Sequence, residues 1–91
     1  MNIELIFPVL NEANSLAKQL AKVREFISKI SEYDFIITVV DNGSTDNTKS
    51  IVNKLIQENI VDKYLYLSER GRGRAIKVAI NKSNSDIVAY M

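Results

Sequence analysis

The chain has 91 residues, 46% hydrophobic and 25% charged, with twelve Lys and Arg against eleven Asp and Glu. That length excludes two domains and leaves a core that buries only ~60–65% of the unfolded surface, while a net charge of +1 excludes a globally basic nucleic-acid binder. With no Cys and no His there is no disulfide framework, no thiolate metal site and no imidazole base, so acid–base or metal chemistry falls to carboxylates.

Ile3 to Phe7 reads as a short apolar strand stopped by Pro8, the only proline, which has no N–H to give a central ladder. A helix follows, because Leu16, Leu20, Val23, Ile27 and Ile30 recur at steps of four, three, four and three and leave Lys18, Lys22, Glu25 and Lys29 off the stripe. Asn11 or Asn14 is its expected cap. Phe35 to Val40 is an apolar, β-branched run typical of a strand buried on both faces of a parallel sheet. A second helix is expected from about Asp46 to Glu58, with Ile51, Val52, Leu55 and Ile56 on one side and Ser44, Thr45 or Asp46 as cap. Lys63 to Leu67 reads as a third strand. Ala75, Ile76, Ala79 and Ile80 mark a third helix spanning Gly73 to Lys82, ended by Ser83-Asn84-Ser85, and Asp86 to Met91 opens a fourth strand.

The order β-α-β-α-β-α-β, with strands starting about 23 to 32 residues apart, calls for an α/β fold: a parallel sheet with right-handed helical crossovers. No repeat, low-complexity tract or linker divides the chain, so residues 1–91 are expected to form a single unit. The amino terminus lacks the basic start and apolar core of a signal peptide. No apolar run approaches the ~18 residues of a membrane span, which predicts a soluble, cytoplasmic chain.

Three polar turns follow strands: Pro8 to Glu12, Asp41 to Asp46, and Ser68 to Arg74. In a parallel sheet they share one edge, the edge at which such sheets bind ligands. Asp41 stands where a carboxylate could accept hydrogen bonds from a sugar hydroxyl or a base N–H, and Gly43 permits a tight turn. Asp, Asn, Ser and Thr also build Asx turns and helix caps, so Asp41-Asn42-Gly43-Ser44-Thr45-Asp46 reads equally as turn structure. Between Ser68 and Lys82 lie five cations and one anion. Gly71 and Gly73 allow close backbone approach, and a helix amino terminus reinforced by Arg70, Arg72 and Arg74, Arg72 foremost, suits a pyrophosphate, while the same segment reads alternatively as a solvated basic loop. Gly71 and Gly73 match the first two positions of Gly-x-Gly-x-x-Gly, but Ile76 takes the third, and the loop follows the third strand of the unit rather than the first. The Gly-Lys-Ser/Thr ending of a P-loop is missing as well.

Together, Pro8-Val9-Leu10-Asn11-Glu12, Val40-Asp41-Asn42-Gly43-Ser44-Thr45-Asp46, Gly71-Arg72-Gly73 and Ser85-Asp86-Ile87-Val88-Ala89-Tyr90-Met91 resemble family 2 nucleotide-sugar glycosyltransferases. The most similar branch is dolichol-phosphate mannose synthase-like. The resemblance covers the whole chain in order and spacing, and it implies a GT-A fold of strand order 3-2-1-4. It sets the Pro8 loop beside the base, Glu12 against the ribose, Asp41 on the nucleobase and Arg72 on the diphosphate, with Asn11, Asn42, Gly43, Ser44, Asp46, Gly71 and Gly73 completing the nucleotide site. Many members carry a second Asp where this chain has Asn42. Asp46 and Thr48 match positions that shape the turn and cap the next helix.

The family's Asp-x-Asp motif, which holds Mg²⁺ or Mn²⁺ on the diphosphate, is expected to begin just after Met91. The chain then resembles the amino-terminal, nucleotide-binding part of a truncated domain, with no catalytic or metal-binding residue of its own. The implied activity of the parent is inverting hexosyl transfer from a GDP- or UDP-sugar to a polyprenyl phosphate or other acceptor, at the cytoplasmic face of a membrane. The alternative is a non-catalytic nucleotide-binding or assembly module. Strand order 3-2-1-4 also makes strand four an exposed edge, which predicts a two-fold homodimer.

Overall fold

The computed structural model describes residues 1–68 and 72–90, with backbone alone for Arg72, Gly73 and Ala75. Its elements run β1 (Asn2–Val9), α1 (Ala13–Ser28), β2 (Asp34–Asp41), α2 (Thr48–Gln57), β3 (Lys63–Tyr66), α3 (Arg72–Lys82) and β4 (Ile87–Tyr90). Every paired strand among them is parallel and the sheet order is β3-β2-β1-β4, the α/β architecture that the spacing of the apolar runs predicts. Parallel neighbours require each connection to recross the sheet, and the helical stretches do this.

β1 and β2 pair along their whole length, from Asn2 opposite Asp34 to Val9 opposite Asp41. This first strand outruns the expected Ile3–Phe7 and carries Pro8 inside it. Alternate residues of a strand turn their amides and carbonyls to opposite neighbours. In β1 the odd-numbered set faces β2: the Asp34 amide donates to the Met1 carbonyl and the Asn42 amide to the Val9 carbonyl. Pro8 belongs to the even set, directed towards β4, whose described pairing ends at Ile6 opposite Tyr90. Its missing N–H therefore costs the β1–β2 ladder nothing.

The two-residue alternation sends Val9, Ile37 and Val39 to one face of the sheet, where they pack with Leu16, Leu20 and Ile27 of α1 and with Val52 and Leu55 of α2. Ile6 and Val40 go to the other, against Ala79 of α3. Each fully buried Leu, Ile or Val contributes roughly 1.5–3 kcal/mol, so the α1/α2 face carries most of the hydrophobic stabilisation among the described residues. α1 ends at Ser28 rather than Ile30, whose amide closes the final turn on the Ile27 carbonyl. α2 ends where Asn59 takes a left-handed φ of 61°, letting the Ile60 and Val61 amides donate to the Leu55 carbonyl. From α1, Arg24 donates to the Asp62 carboxylate at 2.6 Å and to the Ile60 carbonyl at 3.0 Å, and Asp62 also accepts from the Ile37 amide at 2.8 Å. That chain of contacts fixes the α2–β3 connection, and with it where β3 delivers its carboxyl end.

Candidate functional site

β1, β2 and β3 end level with one another, Val9 opposite Asp41 and Asp41 opposite Tyr66. The turns leaving these strands start from one edge, and the backbone of α3 begins at Arg72 after the third. The segments carrying Glu12, Asp41 and Arg72 thus converge as parallel topology requires. Gly71 lies outside the described residues, as does the side chain of Arg72, and Gly73 is described by its backbone.

Asp41 is fully buried. One carboxylate oxygen accepts from the Ser44 amide at 2.8 Å, closing the turn across Asn42 and Gly43, and the other from the Tyr64 hydroxyl at 2.6 Å. Gly43 takes a φ of 86°, a left-handed conformation that a Cβ would disfavour, and this closes the turn. Burial, the hydrogen bond to Asp41 and the negative charge of Asp41 push the Tyr64 phenol well above its ordinary value, so it remains a donor through the neutral range. Sequence reasoning missed Tyr64. Its signal is positional: in β3 it pairs with Val39, two residues before Asp41 on the same face.

The turn after β1 departs from expectation. The helix cap is Glu12, without a side-chain bond, and neither Asn11 nor Asn14 caps α1. Asn11 instead takes a φ of 51° and turns away from its own helix towards the second turn. Its side-chain carbonyl accepts from the Thr45 amide at 2.8 Å and more weakly from the Asp46 amide at 3.3 Å, while its own amide donates to the Ser44 hydroxyl at 2.9 Å. Asp46 answers: it accepts from the Ala13 amide at 3.2 Å with one oxygen and from the Thr48 amide at 2.9 Å with the other. One carboxylate thereby serves the open amino ends of both α1 and α2, and α2 begins at Thr48, after Asn47, rather than at Asp46. The Thr48 hydroxyl, with the Thr48 and Ala13 amides behind it, holds the Asp46 carboxyl below its ordinary range against a smaller opposing desolvation.

Pro8, Glu12 and Asn42 line a cleft of about 500 Å³, whose apolar floor includes Leu16, Leu20 and Val23. A carboxylate at the rim of an apolar, edge-located cleft can accept from hydroxyls of a bound molecule while the walls contact its ring faces. Among the described residues no three His, Cys, Asp or Glu side chains come together as a cation's ligand set. Asp41 and Asp46 each accept internal donors with both carboxylate oxygens.

A turn-forming edge of this kind narrows the fold without choosing a family. The family model described as Glycosyl transferase family 2 matches residues 4–91. The chain belongs to that family. The bactoprenol glucosyl transferase of Shigella phage SfV is 29% identical over 89 residues, which are 97% of this chain and 29% of that protein. The undecaprenyl-phosphate 4-deoxy-4-formamido-L-arabinose transferase of Proteus mirabilis is 26% identical over 88 residues, 94% of this chain and 27% of that one. The chain thus spans less than a third of these curated relatives. Of the solved structures, S. aureus TarS superposes with a TM-score of 0.79 at 24% identity over 100% of this chain and 16% of its own, a likeness of fold. The mannosyltransferase PcManGT from Pyrobaculum calidifontis, in complex with GDP-Man and Mn²⁺, gives a TM-score of 0.69 at 25% identity over 94% of this chain and 25% of its own. The strand order 3-2-1-4 is accordingly that of a GT-A glycosyltransferase.

Proposed function

We propose that this family 2 chain is the nucleotide-binding part of an enzyme that moves a hexosyl group, with inversion, from a GDP- or UDP-sugar to a polyprenyl phosphate. The observation that carries the proposal is the convergence of the Glu12 turn, the Asp41 turn and the amino end of α3 on one sheet edge, beside a cleft lined by Pro8, Glu12 and Asn42. Pro8 flanks the base, Asp41 and Asn42 set the turn that receives it, and Glu12 accepts from ribose hydroxyls. Gly71, Arg72 and Gly73 meet the diphosphate at the amino end of α3. The GDP-Man complex of PcManGT supports a nucleotide-sugar donor, and the names of the bactoprenol and undecaprenyl-phosphate relatives support a lipid acceptor.

A lipid acceptor would bring the intact enzyme to the cytoplasmic face of a membrane, although among the described residues no helix is long and apolar enough to cross one. Mg²⁺ or Mn²⁺ on the diphosphate belongs to the same reading, supported by the Mn²⁺ of the PcManGT complex. The edge position of β4 supports a two-fold dimer of this chain. Titration of the chain with GDP and UDP, by calorimetry or NMR, tests the nucleotide site: the expected affinity is millimolar or weaker, about −4 kcal/mol at best, without dependence on Mg²⁺. Metal-dependent micromolar binding would overturn the assignment of metal ligands, and no shift at the Glu12 and Asp41 turns at saturating nucleotide would overturn the site.

A further inference from the structure

We infer that Asn11 and Asp46 act as a clasp that makes the first and second turns one mechanical unit, and so sets the separation across which Glu12 and the Asp41 turn meet a nucleotide; the ligand half of this rests on the function proposed above. Four hydrogen bonds join residues 11–13 to residues 44–46: Asn11 amide to Ser44 hydroxyl, Thr45 and Asp46 amides to the Asn11 carbonyl, and Ala13 amide to the Asp46 carboxylate. The exchange is reciprocal. Asn11 supplies the acceptor for the start of the second turn, and the second turn supplies the acceptor for the start of α1.

Glu12 sits between the two anchored positions of the first turn, and its carboxylate takes no part in these bonds. Behind the second turn, Asp41 holds the Ser44 amide and the Val9 carbonyl holds the Asn42 amide, so both halves are fastened to strand ends that lie in register. The left-handed φ of Asn11 belongs to the same device, because it swings the side chain out of line with α1 and towards Thr45. Asn tolerates that conformation better than other residues bearing a Cβ. Asn11 and Asp46 are thus positioning residues: the Asn11 side-chain oxygen and both Asp46 carboxylate oxygens are engaged within the protein, and they act on a nucleotide through Glu12 and the Asp41 turn.

The test uses two variants that cut different bonds. Asn11→Gly keeps the left-handed backbone but removes the acceptor for Thr45 and Asp46. Asp46→Asn keeps an oxygen for Thr48 and takes away the second acceptor that serves Ala13. Amide hydrogen exchange reads the clasp without any ligand. Each variant is expected to speed exchange on both sides, at Ala13 and at Thr45, with the Val52 and Leu55 amides of α2 unchanged, and the double variant to add little to either single one. Loss of protection confined to the mutated side, or effects that add, would overturn the inference. In the titration with GDP or UDP, each variant is expected to bind about tenfold more weakly than the parent at a temperature where both are fully folded, and Asn11→Asp, which restores an acceptor, to recover part of the loss. A parent that binds and an Asn11→Gly variant that binds equally well would overturn it. Coupled exchange in a parent that binds neither nucleotide would support the clasp while sinking the proposed function.

Discussion

The Asp41 carboxylate does two things that pull apart under mutation. Its buried oxygens close the second turn through Ser44 and hold Tyr64, so truncation removes structure as well as any contact to a base. Tyr64→Phe separates the two, because it deletes one donor to a buried carboxylate and leaves the bond from the Ser44 amide. A loss of roughly 1.5–3 kcal/mol is expected by chemical denaturation, with the nucleotide affinity changed less than by Asp41→Ala. The raised phenol also fixes a pH dependence. A folded-state value above the unfolded value of about 10 gives stability that is complete below that pH and is lost as pH rises towards the folded value. Denaturation midpoints measured from pH 8 to 11 should fall above pH 10 for the parent and fall less for Tyr64→Phe. An identical alkaline decline in the two would remove Tyr64 as its source.

At the scale of elements, β4 is held by little backbone among the described residues, where it pairs with β1 from Ile3 opposite Ile87 to Ile6 opposite Tyr90. Glu4 compensates from within β1. Its side chain, 2% exposed on the α3 face, accepts from the hydroxyls of Thr38 in β2 and of Ser83, with Ser85 at 3.4 Å, and so ties the turn that follows α3 to the centre of the sheet. Asp86 adds a bond from the Asn2 amide at 2.9 Å. A carboxyl group there gives the buried Thr38 hydroxyl an acceptor and gathers the half-buried hydroxyls of Ser83 and Ser85 to the same point. Glu4→Ala should cost about 3 kcal/mol, a fall in melting temperature on the order of 15 °C, and should speed amide exchange in β4 ahead of the rest of the sheet. If β4 exchanged no faster than β2 in that variant, the tie would be dispensable.

For the whole molecule, the consequence of order 3-2-1-4 is an unbalanced surface. α1 and α2 lie together on one face with α3 on the other, and β4 stands at an edge with Ile87 and Tyr90 exposed, Tyr90 at 60%. Beside α1 lies a second exposed apolar feature, a groove of about 370 Å³ lined by Leu5, Val23, Phe26, Ile27, Ile30 and Phe35 with Lys22 among them, and Phe26 is 66% exposed. Unpaired edge amides and contiguous apolar surface favour association of like chains. Sedimentation equilibrium should therefore show a monomer–dimer equilibrium in the micromolar range, weakened by a Lys at Val88 or at Tyr90. A strictly monomeric chain at high micromolar concentration would exclude the two-fold pairing.

The sequence by itself determined the order of elements, their parallel arrangement and the edge on which the polar turns converge. Hydrophobic period, run length and the need for crossovers are local or topological properties that a chain carries in its residue order. Pattern also marked Asp41, Gly43 and Asp46 as turn-formers. What the tertiary structure alone decided is which polar atom serves which. Asn11 caps nothing in its own helix because a neighbouring turn offers it amides, Asp41 is held by a tyrosine one strand away, and Glu4 stands in an apolar strand because its partners arrive from residues 38 and 83. Pro8 fits a central strand because its amide position faces past the described end of β4. Hydrogen bonds between residues far apart in the chain leave no period in the sequence, and they form only once strand register brings donor and acceptor to within about 3 Å.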